Sequence, residues 1–200
     1  MKIRFQLIAE LSALILVTVT AVSADDTPKL LFMDVHDLES VTAEAVAEAH
    51  SKDLAVQDKY GVDFLRYWVD ETHSKVYCLA AANDAKSISA AHSEAHGLVP
   101  QNVHQVSAGE EAAGDRTSRL FLDVHRVGAG KVSVEDVAAA HDKDLAVQDA
   151  HNVHFINYWV DPRSGDIFCL SEARNAEDVL ETHREAHGLI SDEIAEVTEG

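Results

Sequence analysis

The chain has 200 residues, of which 46% are hydrophobic, and a formal net charge of −19 at pH 7. The hydrophobic content excludes a disordered chain. The acidic charge, with no block of Lys and Arg, argues against nucleic acid and against an anionic membrane surface as partners, because both would repel the protein.

The first 24 residues have the features of a signal peptide. Lys2 and Arg4 precede an apolar stretch at 11–22, and small residues end at Ala24, where a signal peptidase would cut. We therefore predict that residues 1–24 are removed and that the mature chain is periplasmic or secreted. No membrane association is expected after cleavage.

The mature sequence contains two tandem copies of one unit. Three motifs occur in both halves: "LFMDVH" at 31–36 and "LFLDVH" at 120–125, "AHSKDLAVQD" at 49–58 and "AHDKDLAVQD" at 140–149, "HSEAHG" at 92–97 and "HREAHG" at 183–188. Such self-similarity indicates tandem domains. We predict domains at 29–106 and 119–198, joined by a polar linker at 107–118. One chain then forms an internal pseudo-dimer, and a further homo-oligomer is left open.

Hydrophobic periodicity predicts the order β-α-β-β-α-β in each repeat. In the first repeat the elements are a strand at 30–36, a helix at 42–60, strands at 62–69 and 75–79, a helix at 85–96 and an edge strand at 102–106. The segments "FLRYWV" and "VYCL" are apolar on both faces, so both faces of the sheet should be covered. The predicted fold class is α+β, with two tandem ferredoxin-like domains packed sheet to sheet about a pseudo-twofold axis, as a sandwich or a barrel-like pair.

Eight of the twelve histidines fall at four positions that are equivalent in the two repeats. A helical projection places His50, Asp53 and Gln57 in the centre of the buried face of the first helix. Imidazoles four residues apart on a helix project to one side and can share a metal ion, which carboxylates orient. The predicted metal ligands are His36, His50, His92, His96, His125, His141, His183 and His187, with Asp34, Asp53, Asp123 and Asp144 as oxygen ligands or orienting groups.

Cys78 and Cys169 occupy the same place on the third strand of each repeat. A disulfide between them requires Cα atoms within about 7 Å of each other. Buried free thiols are the simpler expectation, and thiolate ligation of a soft metal is the lesser alternative.

The motifs "DVH", "AHxKDLAVQD", "YWVD" and "HxEAHGL" resemble those of small ferredoxin-like domains, once classified only as a domain of unknown function and now called nickel-binding proteins. The resemblance covers both repeats. It implies an α+β fold, dimerisation through the sheets in single-domain members, and a capacity to bind nickel. The features that match best are the cysteine on the third strand and the first histidine of the second helix.

The favoured function is therefore binding of a divalent transition metal, with nickel ahead of copper and zinc, although affinity order alone would favour copper. One alternative is an enzyme in which His50 and Asp53, beside Tyr67 and Trp68, act as a general base in a pocket between the two sheets. The other is a structural or interaction module whose histidines are saturated by hydrogen bonds. We favour a protein without catalytic activity over an enzyme.

Overall fold

A computed structural model describes residues 28–114 and 119–200. The predicted signal peptide at 1–24 lies outside the described residues, as do positions 115–118 of the predicted linker. The first repeat contains β1 (Leu30–Asp37), α1 (Ala43–Tyr60), β2 (Asp63–Asp70), β3 (Lys75–Ala82), α2 (Ala85–Ala95) and β4 (Asn102–Ala108). The second contains β5 (Arg119–Arg126), α3 (Val134–His151), β6 (His154–Asp161), β7 (Asp166–Ala173), α4 (Ala176–Ala186) and β8 (Glu193–Glu199).

The eight strands form one closed antiparallel barrel in the order β1-β3-β2-β8-β5-β7-β6-β4. The predicted fold class of two ferredoxin-like domains packed sheet to sheet is therefore wrong. Two seams close the barrel: Trp68 and Val69 pair with the end of β8, and the end of β4 pairs with Trp159 and Val160. The physical reason is that the last strand of each repeat would otherwise leave an open edge, and pairing with the sister repeat satisfies the backbone groups there.

The barrel interior is filled by side chains from both repeats. Trp68 and Trp159 lie at its centre with ring centroids 5.0 Å apart, and Met33 and Leu122 pack in the same cluster. The two repeats thus share one core. The enzyme alternative places its pocket in this space, where cavities of about 330 and 230 Å³ adjoin the core, the first lined by Tyr77 and Leu122 and the second by Ile156 and Leu170.

The helices cover the outer face of the barrel. Helix α1 begins after Thr42, whose side chain accepts a hydrogen bond from the amide of Ala45, and it ends at Gly61 in the left-handed conformation. Helix α2 begins after Asp84, which accepts from the amide of Ser87, and α1 packs against α2. The second repeat uses Ser133 and Asn175 as the corresponding N-caps. Within the described residues, no helix is both long and apolar enough to cross a membrane.

Candidate metal centre

Strands β1 and β3 place three donor side chains on the face that meets the helices. Asp34 and His36 are two residues apart on β1 and so point to the same side. Cys78 is directly opposite Asp34 in the register of β1 with β3. All three side chains are buried, and Asp34 is fully excluded from solvent. The outer face of the barrel is therefore polar at this one place.

The two helices of the repeat contribute the other half of the cluster. Nδ1 of His92 lies 2.9 Å from Oδ1 of Asp53, and Nε2 of His96 lies 3.2 Å from the same oxygen. Asp53 belongs to α1, His92 to α2, and His96 caps the end of α2. The packing of α1 on α2 thus brings together residues that are about forty positions apart in the chain.

The second ring nitrogen of His92 points at the strand residues. Its Nε2 lies 3.5 Å from Oδ2 of Asp34, and Nε2 of His36 lies 3.0 Å from Oδ1 of Asp34. Both oxygens of Asp34 and Nε2 of His92 are buried and lie at ion-pair distance, but none of them makes a well-directed hydrogen bond. Buried polar atoms without a partner cost roughly 1–3 kcal/mol each, so native structures rarely contain several together.

The second repeat reproduces this arrangement. Nε2 of His125 and Nε2 of His183 lie 3.0 and 3.3 Å from Oδ2 of Asp123, and Nδ1 of His183 lies 3.0 Å from Asp144. Both Asp123 oxygens and Nε2 of His183 again lack a hydrogen-bond partner. Cys169 contributes its sulfur, since donor atoms of Asp123, His125 and Cys169 all lie within 4.8 Å of one another.

The histidines that follow the second helices are held differently. The backbone amide of Leu98 donates to Nδ1 of His96 over 3.1 Å, and the amide of Leu189 donates to Nδ1 of His187 over the same distance. Because Nδ1 accepts a proton in this bond, the neutral ring carries its own proton on Nε2. That proton faces Asp53 in one repeat and Asp144 in the other.

His50 and His141 lie to one side of these clusters. Each is partly buried, and its ring centroid lies 4.8 Å from that of Tyr67 or Tyr158 respectively. Neither belongs to a group of donor atoms within reach of one ion among the described residues. The helical projection correctly turned His50 toward the barrel, but the residue lines a cleft instead of joining the cluster.

Gln57, the third polar residue of the inward face of α1, closes the loop after the helix. Its Oε1 accepts a hydrogen bond from the amide of Phe64 over 3.1 Å, and Gln148 accepts from Phe155 over 3.0 Å. Both glutamines therefore have a structural partner.

A family model described as nickel responsive protein SCO4226-like matches residues 32–106 and 121–197. The chain belongs to this family. Both repeats are matched, so the chain carries the family domain twice in tandem. No curated protein matches the chain.

Several solved structures are similar to the chain. SCO4226 from Streptomyces coelicolor A3(2) is 47% identical over 38% of this chain and 93% of its own, with a TM-score of 0.37. A putative monooxygenase from Lactobacillus acidophilus NCFM is 8% identical over 86% of this chain and 94% of its own, with a TM-score of 0.49. A heme-binding protein from Thermus thermophilus is 9% identical over 87% and 91%, with a TM-score of 0.40. SCO4226 thus corresponds in length to one repeat.

The electrostatics of the SCO4226-like domains centre on one imidazole in each repeat. Burial lowers the pKa of His92, but the carboxylates of Asp34 and Asp53 outweigh burial and raise it to about 9. In the second repeat, the carboxylates of Asp123 and Asp144 outweigh burial and raise the pKa of His183 to about 10. Burial raises the pKa of Asp123, but His125 and His183 outweigh it and lower that pKa to about 2. Each cluster therefore holds carboxylates against a single strongly held proton.

The pKa values of the two thiols are also raised, which favours the uncharged thiol. Burial raises the pKa of Cys78, and the charges of Asp34 and Asp53 raise it further. Burial and the charges of Asp123 and Asp144 do the same to Cys169. Both cysteines are free, so the disulfide alternative is not realised.

One participant, the backbone amide of Leu98, was not predicted from the sequence. A signal for it exists, because Gly97 follows His96 and adopts φ +83°. A left-handed residue after a helix turns the next amide back toward the helix end. The same holds for Gly188 and Leu189 in the second family domain.

Proposed function

We propose that each repeat binds one divalent transition-metal ion and that nickel is the ion bound in the cell. The proposed donors are a carboxylate oxygen, two imidazole Nε2 atoms and a thiolate sulfur. In the first repeat these belong to Asp34, His36, His92 and Cys78, and in the second to Asp123, His125, His183 and Cys169. The observation that carries the proposal is the set of fully buried polar atoms without a hydrogen-bond partner, which occurs in both repeats.

The distances from Asp34 to the two imidazoles of its cluster fit a single ion. Nitrogen and oxygen ligands lie about 2.0–2.2 Å from a bound transition metal, so two ligands of one ion are at most about 4.4 Å apart. The contacts from Asp34 to His36 and to His92, at 3.0 and 3.5 Å, satisfy this limit. A positive ion here would satisfy the buried carboxylate of Asp34 and Nε2 of His92 at once.

Asp53 and His96 are proposed to orient His92 without touching the ion. Their polar atoms are already hydrogen-bonded, unlike those of the Asp34 cluster. With Nδ1–H of His92 directed at Asp53, the lone pair of Nε2 faces Asp34. A carboxylate that holds the second nitrogen of a ligating histidine fixes its tautomer and raises its basicity.

The choice of nickel rests on the family description, since imidazole, carboxylate and thiolate donors also suit copper and zinc. A bound ion would replace the positive charge that the protonated His92 ring supplies in the metal-free protein. Loading displaces the proton of His92 and that of the Cys78 thiol, because both donors must be deprotonated to bind a metal.

We also propose that the protein is exported. The signal-peptide pattern at 1–24 supports it, and a mass spectrum of the protein from its native host tests it. A mature chain beginning at Asp25 is expected, and a chain that retains residues 1–24 would contradict it.

The hydrogen-bond network alternative has weaker support. That reading requires the inward histidines to be saturated, whereas Nε2 of His92 and Nε2 of His183 have no partner. His96 and His187 do fit it, because each has partners for both ring nitrogens.

Calorimetric titration of the metal-free, untagged protein with nickel, copper and zinc tests the proposal. We expect two ions to bind per chain. His92→Ala should leave one site, and the double variant His92→Ala/His183→Ala should leave none. His96→Ala is the matched control on the same helix end, and it should retain two ions with affinity reduced about 10- to 100-fold at one site.

Two results would contradict the assignment. One is a double variant that still binds two ions. The other is loss of a site in His96→Ala together with retention of that site in His92→Ala, which would move the ion to the Asp53 side of the cluster.

A further inference from the structure

Each repeat has a cleft on the outer side of the barrel, between the first helix and the strands beneath it. The cleft of the first repeat has a volume of about 130 Å³ and that of the second about 170 Å³. These volumes bracket the roughly 150 Å³ of an engineered apolar cavity that accepts benzene. A molecule with one ring is therefore the right size for either cleft.

Most of the wall is apolar. Val46, Ala49, Val76 and Leu98 line the first cleft, and aliphatic side chains at the corresponding positions line the second. Asp53 and three of the proposed metal donors, His36, Cys78 and His92, also line this cleft. An apolar wall with a few polar groups is the usual design of a small-molecule site.

The charge of the wall selects against anions. Among the described residues, no Lys or Arg lines either cleft. Asp136 lines the second cleft at the position where the first has Ala45, and the chain as a whole is strongly acidic. The protonated rings of His92 and His183 are each already held between two carboxylates, so an anionic ligand would meet no uncompensated cation and an uncharged ligand is favoured.

His50 supplies a polar group that the metal site does not use. It lines the cleft and stacks on Tyr67, and within the described residues its ring nitrogens have no hydrogen-bond partner. Burial lowers its pKa, so the ring is neutral near pH 7 and offers one donor and one acceptor. His141 has the same place and the same tendency in the second cleft.

We propose that the cleft of each repeat binds a small uncharged molecule that has an apolar body of about one ring and a single hydroxyl or amino head. The head bonds to His50 in the first repeat and to His141 in the second, and the body packs on the aliphatic wall. This binding does not require the metal ion, so its test is independent of the proposed metal site.

Phenol is the probe, because it is uncharged near neutral pH and has one hydroxyl. Backbone amide shifts of the ¹⁵N-labelled protein are followed by NMR during titration, in metal-free and nickel-loaded samples. Saturable shifts are expected around Ala49 and His50 and around Ala140 and His141. Benzene, which lacks the head, should bind about fivefold more weakly, the factor expected for one hydrogen bond. In the metal-free sample, benzoate should produce no saturable shifts.

Two variants locate the ligand. Ala49→Leu fills the first cleft and should abolish the shifts there, while the second cleft in the same molecule keeps its response as an internal control. His50→Leu should reduce phenol affinity at the first cleft about fivefold, to that of benzene. Ala47 is exposed on the same helix and does not line the cleft, so Ala47→Leu should leave phenol binding unchanged.

The proposal is overturned if phenol gives no saturable shifts up to its solubility limit in either cleft. It is also overturned if Ala49→Leu leaves the phenol response of the first cleft intact, or if benzoate binds as tightly as phenol in the metal-free sample. Loss of nickel binding with retained phenol binding would reject the metal site alone.

Discussion

His92 lies between two carboxylates, and its two ring nitrogens have different surroundings. Nδ1 faces Asp53 at hydrogen-bond distance, whereas Nε2 faces Asp34 without forming a hydrogen bond. In the metal-free protein a proton on this ring balances part of the negative charge. In the proposed metal-bound form the ion replaces that proton. The same side chain therefore connects protein stability, pH and metal loading.

The raised pKa values of His92 and His183 predict a pH-dependent stability of the metal-free protein. An unfolded histidine has a pKa of about 6.5, whereas the folded values are about 9 and about 10. The stabilisation is fully present below the unfolded pKa and is lost as the pH rises through the folded values. Asp34 and Asp123, whose pKa values are lowered, stabilise the fold above their unfolded pKa and lose that effect in acid.

We therefore expect the free energy of unfolding of the metal-free protein to be highest between about pH 4 and about pH 6.5. It should then fall by on the order of 3 kcal/mol per site toward pH 10. Urea unfolding with a chelator present measures this fall. The double variant His92→Asn/His183→Asn should lack the part of this fall below about pH 8.5, the range in which unfolded cysteines are still protonated. A wild-type stability that stays constant from neutral to alkaline pH would refute the charge assignment.

The sequence predicted which way the side chains of the first helix face, but not which residues they contact. The helical projection turned both His50 and Asp53 toward the barrel, and both are there. The projection could not show that Asp53 forms a hydrogen bond with His92 whereas His50 contacts the ring of Tyr67. Those contacts depend on how α1 packs on the strands. Nor does the spacing of His92 and His96 reveal which nitrogen of each ring is protonated, since an amide outside the helix decides that.

At the scale of elements, the residues that end helix α2 also orient a histidine of the candidate site. Gly97 adopts φ +83°, and this turn directs the amide of Leu98 to His96. The hydrogen bond on Nδ1 then fixes the proton of His96 on the side that faces Asp53. The end of α4, with Gly188 and Leu189, repeats the arrangement.

Gly97→Ala is predicted to destabilise the protein by about 1–2 kcal/mol, because a side chain makes the left-handed conformation unfavourable. The site offers open space around Gly97, so the cost comes from the backbone and not from a clash. Urea unfolding measures the change. Ser93→Ala, on the exposed face of the same helix, is the control and should stay within about 0.5 kcal/mol.

An equal effect of both substitutions would contradict this account of the helix end. So would an unchanged stability of Gly97→Ala, which would mean that another conformation of the turn is as good.

The elements themselves were accessible from the sequence, since caps such as Thr42 and Asp84 and the stop at Gly61 mark their ends. The edge strand was the uncertain one. β4 extends through Ala108, into the predicted linker, because its last residues pair with the sister repeat. Such an extension depends on a partner strand far away in the chain, which local periodicity cannot detect.

At the scale of the whole molecule, the two repeats form a single barrel. Apolar residues on both faces of the strands correctly indicated that both faces are covered. That pattern is equally compatible with two sheets packed face to face and with one closed sheet, because both bury the inner face. Only the seams at β2–β8 and β4–β6 distinguish them, and each is made by a few residues at strand ends.

The shared core predicts that the two repeats unfold together. Trp68 and Trp159 come from different repeats and contact each other inside the barrel. Opening either repeat exposes the core of both. In metal-free protein, urea curves from tryptophan fluorescence and from far-ultraviolet circular dichroism should therefore coincide in one transition. Two separate transitions, each with its own change in tryptophan fluorescence, would show that the repeats are independent domains.

In the proposed metal-bound form, the ion lies between β1 and the inner face of α2 in the first repeat, and between β5 and the inner face of α4 in the second. Crystals of nickel-loaded protein, with anomalous differences recorded at the nickel absorption edge, would locate it. We predict one peak in each repeat, next to Nε2 of His92 and the carboxylate of Asp34 and next to Nε2 of His183 and that of Asp123. Peaks between Asp53 and His96, or peaks only on the protein surface, would contradict it.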